Sequence, residues 1–324
     1  MTSERRLEQL REEARAKGVV SGRGGDVAGS PIRRKSGYYG QPVLKPPVWT
    51  WEIPVYFFVG GAGGMSAVIA LAAIWFHHAE IACTAMWVAA ISALLSPLLL
   101  ISDLGRPRLF LNMLRVFKPR SAMSMGAWIL TGFGMCIVPG AIALELGALH
   151  WLSGWAELAL HIAAGLFVLG AAIFGMLLAT YTGVLIGATA IPAWFLHRVF
   201  LPIHFGAAGL GSAAALLELL GHRVAALNAI GFFAASVETA LLIWLMIDRR
   251  GAADRALHEH AAGWLVRAGE LLTGPLAVIL RFFGFVPPAA ISFLVGALIS
   301  RFGWIAAGKV SGSDPESVFA AERF

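Results

Sequence analysis

Eight long apolar runs, each near the length that crosses a lipid bilayer, constrain the fold more than any other feature of this sequence. Bounded by charges or Gly/Pro clusters, they predict transmembrane helices at 53–75, 82–102, 124–145, 157–179, 200–220, 224–247, 266–286 and 288–307. A helix of roughly 20 apolar residues spans a hydrocarbon core of about 30 Å. With 58% hydrophobic and 14% charged residues, we expect an all-α polytopic membrane protein of about eight transmembrane helices.

The rest of the chain is divided simply. Residues 1–48 are predicted to be an N-terminal tail, 49–307 the transmembrane domain and 308–324 a C-terminal tail. The first thirty residues lack the apolar segment of a secretory signal peptide. A solvated tail and a partner-docking helix over Glu4 to Lys17 are both compatible with the charged N-terminal stretch.

Basic residues are distributed asymmetrically between the two sides of the predicted membrane domain. Only Arg223 and Arg281 fall on one side, with Arg301 inside the last span; the other side holds Arg5, Arg6, Arg11, Arg15, Lys17, Arg23, Arg33, Arg34, Lys35, Lys45, Arg106, Arg108, Arg115, Lys118, Arg120, Arg198, Arg249, Arg250, Arg255, Arg267, Lys309 and Arg323. Because cytoplasmic loops are enriched in Lys and Arg, both termini are predicted to be cytoplasmic, in the cell inner (cytoplasmic) membrane. Acidic lipid headgroups are the expected neighbours of this side, and nucleic acid is not.

Metal and haem centres are not expected in this chain. Its two cysteines, Cys83 and Cys136, are too few for an iron–sulfur cluster held by four thiolates. There is no zinc-site spacing and no CxxCH motif for covalent haem. His161 and His204 are predicted near opposite ends of their spans, which disfavours a haem between them.

Polar side chains from the first five spans are predicted to lie together near the basic side. They are Glu52, Tyr56, Asp103, Arg106, Ser124, Tyr181 and His204. A quinone ring needs such a site, since its carbonyls accept hydrogen bonds and two protons must arrive with two electrons. Trp49, Trp51 and Phe57 could form an aromatic wall for the ring. An interfacial aromatic belt and an Asp103–Arg106 ion pair are the alternative interpretations.

Two further features lie inside the spans. Glycines from Gly60 to Gly64 favour either close helix packing or room for a flat ligand. Glu238 falls near the middle of the sixth span, where an ionisable residue is costly and therefore a functional candidate. It is predicted either to belong to a proton path or to be a neutral acid bonded to a neighbouring helix.

Three stretches of the sequence resemble the NrfD/PsrC family of membrane subunits. They are WTWEIPVYFFVGGAGG at 49–64, SDLGRPRLFLNMLRVFKPRSAMSMGAWIL at 102–130, and TYTGVLIGATAIPAW at 180–194 followed by Leu-Pro at 201–202. Their order and spacing fit the family throughout 49–247. The resemblance implies two four-helix bundles and an exchangeable menaquinone or ubiquinone in the first of them.

The resemblance also implies partners and residue roles. A ferredoxin-like iron–sulfur subunit would dock near the quinone site and connect to a molybdopterin-type catalytic subunit. Tyr56 and Tyr181 match quinone-contacting positions, and Asp103 and Arg106 belong to the DLGRP motif at the same end. Several relatives carry their catalytic subunits on the outer side, whereas the charges here predict a cytoplasmic dehydrogenase or reductase module.

We therefore expect the chain to be a membrane anchor that exchanges electrons between an iron–sulfur partner and quinone, with no redox activity alone. Two alternatives stay open. One is a purely structural anchor without a quinone site. The other is a proton-coupled secondary transporter that uses Glu238, although the inverted repeats expected there are not seen.

Overall fold

Helices form nearly all of the chain that the structure, a computed structural model, describes: residues 43–44, 48–104, 107–149, 151, 153–248 and 251–322. Eight helices in these ranges have the length and apolar composition to cross a membrane. They are α1 (Glu52–Trp75), α2 (Ala79–Asp103), α3 (Ala122–Ala148), α4 (Trp155–Gly187), α5 (Phe200–Leu219), α6 (Ala225–Ile247), α7 (Ala261–Phe282) and α8 (Val286–Ser313). The protein is an all-α polytopic membrane protein, as its sequence predicts.

Shorter elements connect these helices. A 3₁₀ segment at Pro107–Leu114 follows α2, and short helical turns occupy Pro192–Phe195, Gly251–Asp254, Arg255–His258 and Pro315–Ala321. Helix α7 consists of two pieces, Ala261–Thr273 and Pro275–Phe282, because Gly274 departs from helical geometry and Pro275 has no N–H to continue the ladder.

All eight predicted spans have a counterpart, but several boundaries differ. Helix α4 continues to Gly187, well beyond the predicted end at 179, and α8 continues to Ser313. Both extensions pack against protein: a Cβ at Gly183 would meet the Leu201 backbone at 2.5 Å. Hydropathy marks the apolar part of a helix, whereas packing decides where the helix ends.

The helices pack as two four-helix bundles, α1–α4 and α5–α8, joined mainly through α1, α4, α5 and α8. Glycines allow the closest approaches. A Cβ added to Gly64 would lie 2.3 Å from the Gly175 carbonyl oxygen, and one on Gly209 would lie 2.9 Å from the Gly61 carbonyl oxygen. Close helix packing is therefore what the glycine run of α1 supports.

One end of the molecule, which we call the basic face, carries the starts of the odd-numbered helices and the ends of the even-numbered ones. Hydrogen bonds join these helix ends: Thr50 Oγ1 donates to Asp103, Tyr181 to the Ala122 carbonyl, and Lys309 Nζ to the Trp49 carbonyl. The described basic residues at this face include Lys118, Arg120, Arg198, Arg255 and Lys309. The basic face is also where the candidate site lies.

Candidate functional site

A cavity of about 260 Å³ opens in the first bundle near the basic face. It lies between α1, α2, α3 and α4, with residues of the preceding segment and of the 3₁₀ segment at its mouth. Its lining consists of Trp49, Ile53, Tyr56, Phe57, Ala93, Pro97, Leu100, Asp103, Leu104, Phe110, Met113, Met123, Gly126, Ala127, Leu130, Thr131, Gly134, Tyr181 and Leu185. Small-molecule sites commonly measure roughly 300 to 1,000 Å³. Because this cavity is slightly smaller than that range, it suits a compact ring.

In the part of the chain that the structure describes, three ionisable side chains line this largely apolar cavity: Tyr56 from α1, Asp103 from the end of α2 and Tyr181 from α4. The Tyr181 hydroxyl donates to the Ala122 carbonyl in the first turn of α3. Asp103 Oδ1 accepts a hydrogen bond of 3.0 Å from Thr50. The Tyr56 hydroxyl makes no hydrogen bond to any residue that the structure describes. Among the described residues, the cavity therefore offers one hydroxyl donor without an acceptor and one carboxylate acceptor.

Glycine shapes the wall that holds Tyr181. A Cβ at Gly126 would lie 2.2 Å from the Tyr181 ring, so only glycine on α3 lets that ring lie across it. On the opposite wall, Pro97 interrupts the hydrogen-bond ladder of α2, because it cannot donate to the carbonyl of Ala93 four residues earlier. Both Ala93 and Pro97 line the cavity. The Ala93 carbonyl oxygen, which lacks its usual helical donor, therefore lies beside the cavity.

Aromatic rings close the inner side of the cavity. Trp49 meets Phe57 edge-on, with ring centroids 6.4 Å apart, and stacks on Trp194 at 5.4 Å. The sequence predicts Trp51 in the same wall, but the structure places it outside the lining with 60% of its surface exposed. Trp51 precedes the first turn of α1 and faces away from the bundle, as an interfacial aromatic residue would.

Other residues predicted for the site lie beside the cavity without lining it. The Thr50 hydroxyl, whose single proton is shared with Asp103, also contacts the Glu52 carboxylate. Ser124 Oγ accepts a hydrogen bond of 3.0 Å from the Lys118 backbone amide at the start of α3. Gly60 and Gly64 pack against neighbouring helices. Arg106 lies outside the described residues.

His204 is not at the cavity; it lies in the second bundle, in a separate buried cluster. Its Nδ1 lies 2.8 Å from Glu238 Oε2 of α6, and its Nε2 lies 3.2 Å from Glu270 Oε1 of α7. Ser300 Oγ and Arg301 Nη1 of α8 lie 2.9 and 3.1 Å from the same Nε2. We call His204, Glu238, Glu270, Ser300 and Arg301 the buried polar cluster. The sequence predicts His204 beside Tyr56, whereas the structure places His204 outside the cavity lining, because its helix, α5, belongs to the second bundle.

The buried polar cluster has three groups close enough to be considered as metal ligands: His204, Glu238 and Glu270, whose donor atoms lie within 4.8 Å of one another. Both imidazole nitrogens of His204, however, are engaged by side chains of the cluster. The positively charged Arg301 guanidinium also contacts His204 and would repel a bound cation. These contacts favour proton chemistry over cation binding.

Sequence reasoning misses several residues that the structure brings into play. By sequence, Glu270 is an end-of-span charge and Arg301 a charge inside the last span, although both are fully buried partners of His204. The signal that could have found them is their position: each falls near the middle of its helix, at the depth of Glu238. Gly126 carries no comparable signal, since only the Tyr181 ring above it reveals its role.

The comparisons with known proteins fit this geometry. A family model described as "Polysulphide reductase, NrfD" matches residues 41–231, a range that includes every residue lining the cavity. The C chain of the polysulfide reductase of Wolinella succinogenes is 27% identical in an alignment 305 positions long, which covers 81% of this chain and 94% of that protein.

Proposed function

Given that the chain belongs to the NrfD family, we propose that it is the membrane anchor subunit of a multi-subunit oxidoreductase and that its cavity binds quinone and quinol. The observation that carries this proposal is the convergence of Tyr56, Asp103 and Tyr181 on one apolar cavity among the first four helices. A bound quinone would supply two-electron, two-proton redox chemistry, for which this chain provides binding groups and proton partners.

The lining fits a quinone headgroup. The ring would lie against Trp49 and Phe57, and the uncommitted Tyr56 hydroxyl would donate to one carbonyl oxygen. Asp103, near the mouth, would accept the proton of a quinol hydroxyl and pass it toward the basic face. Because the Tyr181 proton is already committed to the Ala122 carbonyl, Tyr181 would act as an acceptor toward a quinol and as a rigid wall toward a quinone.

A prenyl tail needs an apolar exit to the bilayer. The seam between α2 and α3 offers one, lined by Pro97 and Leu100 on one side and by Ala127, Thr131 and Gly134 on the other. A Cβ at Gly134 would meet no heavy atom within 4 Å, which leaves the seam open. The chemistry fits menaquinone or ubiquinone equally.

The partners follow from the family and from the position of the cavity. The relative from Wolinella is named as one chain of a polysulfide reductase, which is by its name a multi-chain enzyme. We infer that a ferredoxin-like iron–sulfur subunit docks on the basic face and links the quinone to a molybdopterin-type catalytic subunit. The charge asymmetry supports cytoplasmic termini in the cytoplasmic membrane. A reporter protein that works only in the cytoplasm should therefore be active when it is fused after Phe324, and a reporter that works only outside the cytoplasm should be inactive there.

Filling the cavity tests the proposal. Ala127→Trp on α3 points a large ring into it, whereas Met135→Trp changes a side chain on the same helix that is 69% exposed toward lipid. In the purified complex, Ala127→Trp is expected to remove bound quinone from the lipid extract and to abolish quinol turnover. Met135→Trp is expected to keep both.

The Ala127→Trp variant and the purified wild-type complex together distinguish the alternatives. Normal quinone content and turnover in Ala127→Trp would refute the site. A wild-type complex that holds its partner subunits but no quinone would indicate a purely structural anchor. A chain that purifies alone, without an iron–sulfur partner, would favour a transporter.

A further inference from the structure

The buried polar cluster of the second bundle has no place in the quinone chemistry described above. His204, Glu238 and Glu270 are 0% exposed and Arg301 is 2% exposed, and each comes from a different helix. Ionisable groups at membrane depth are costly and are commonly functional. Because four helices all direct such groups to one point, the cluster is a specific site and not a chance burial of separate charges.

The charges of the cluster leave room for one proton. The Arg301 guanidinium offsets one carboxylate, so the second carboxylate leaves a net negative charge unless a proton is shared among Glu238, Glu270 and His204. Two carboxyl groups this close favour sharing a proton over ionising together. Helix α1, on the side of the cavity, contributes the uncharged Phe57 through its contact with Phe205. The cluster thus has two states, one neutral and one negative, that differ by one proton.

A single layer of aromatic rings separates this cluster from the quinone cavity. Ring centroids are 5.6 Å apart from Tyr56 to Phe57, 5.8 Å from Phe57 to Phe205 and 5.4 Å from Phe205 to His204. Arg301 also lies over Phe205, at 3.7 Å from its ring centre. A unit charge about 15 Å away, at an effective dielectric constant of roughly 20, changes a proton affinity by about sixfold.

Three ionisable side chains of the described residues lie between the cluster and the basic face. His197 Nε2 lies 3.9 Å from Asp254 Oδ1, and His258 Nδ1 lies 3.4 Å from Asp254 Oδ2. His258 is partly exposed at that face. The Trp304 ring contacts both His197 and His204, at ring distances of 5.6 and 6.4 Å. A proton that moves between these polar groups must therefore pass beside this ring.

We propose that His204, Glu238 and Glu270 bind one exchangeable proton that is taken up from the basic face when negative charge develops on the quinone and released once the quinone itself has been protonated. The proton binds to a carboxylate or to the imidazole, and no electron enters the cluster. The inference rests on the proposed quinone site and adds a second, remote proton site to it.

Proton stoichiometry tests the inference in the whole complex. Reduction of the bound quinone is followed optically while a pH indicator records proton uptake from a weakly buffered solution. The wild type is expected to show a transient uptake above the two protons that the quinone itself needs, and this excess decays as the quinol forms. Glu238→Gln and Glu270→Gln are expected to lose the excess while the quinone is still reduced. Glu145→Gln, a change on α3 at the opposite end that leaves the cluster intact, is expected to keep it.

Infrared difference spectra of the same reaction give a second readout. A carboxylic C=O band that shifts in D₂O and decays as the quinol forms is expected during quinone reduction in the wild type and in Glu145→Gln, but not in the cluster variants. A wild type whose proton uptake never exceeds two during the reaction would overturn the inference even if the cluster variants did not fold. Absence of any bound, reducible quinone would instead refute the proposed function itself.

Discussion

The two tyrosines of the cavity should respond differently to loss of their hydroxyl groups. Tyr56 is 2% exposed and its hydroxyl has no protein acceptor in the described part of the chain. Tyr56→Phe therefore leaves no buried group unsatisfied, and the Tm of the complex is expected to stay unchanged. The Tyr181 hydroxyl instead serves the Ala122 carbonyl, and Tyr181→Phe is expected to destabilise α3 by about 1 kcal/mol.

Loss of quinone binding and turnover should be larger for Tyr56→Phe than for Tyr181→Phe, the reverse of the order expected for stability. A hydrogen bond from Tyr56 to a quinone carbonyl contributes roughly 0.5–1.5 kcal/mol, so Tyr56→Phe should raise the Kd for a quinone analogue by about two- to tenfold. Turnover should fall further, by roughly 10²-fold, because the same hydroxyl stabilises charge that develops on the carbonyl oxygen. Quinol-analogue oxidation and thermal unfolding of the purified complex measure both quantities. Unchanged turnover in Tyr56→Phe, or an equal fall in Tm for both variants, would refute this assignment.

Three further substitutions test other contacts, each with a matched control. Gly126→Ala should displace the Tyr181 ring and weaken binding of a quinone analogue, whereas Gly134→Ala, where a Cβ meets open space, should not; equal Kd values would contradict the predicted clash. Gly175→Ala should separate α1 from α4 and lower the yield of folded complex, while Gly165→Ala on the same helix should leave it unchanged; a stable Gly175→Ala complex would show that the helices can shift. Arg281→Met should leave the buried Glu218 carboxylate without its bidentate partner and cost about 3–5 kcal/mol, whereas the exposed Arg223→Met should be neutral; Tm values of the two variants decide the matter.

Much of the fold could be predicted because bilayer physics acts on single segments. A run of about 20 apolar residues must become a helix, since no other backbone satisfies its own hydrogen bonds in lipid. The break in α7 at Gly274 and the extension of α4 past Tyr181 could not be predicted in the same way. Both depend on what neighbouring helices place beside those residues.

The site was predictable to the extent that it depends on depth. Tyr56, Asp103 and Tyr181 fall at one level of the membrane by residue count, and the structure brings them to one cavity. His204 falls near the same level but on the other bundle, because depth says nothing about the direction in which a helix faces. Glu270 is missed for a different reason: the predicted span 266–286 puts it near an end, whereas α7 begins at Ala261 and holds it near its middle. The depth of Arg301 is predicted, but its contact with His204 is not.

The contacts that hold Trp49 in place make the shape of the cavity depend on helices that do not line it. Its ring rests on Trp194, whose Nε1 donates to the Trp304 carbonyl at 2.7 Å, and its carbonyl accepts from Lys309 of α8. The first four helices alone would lack this support, so an excised half-protein would present a collapsed or misshapen ligand cleft. A transplant of the site into another scaffold would have to carry the last helix with it.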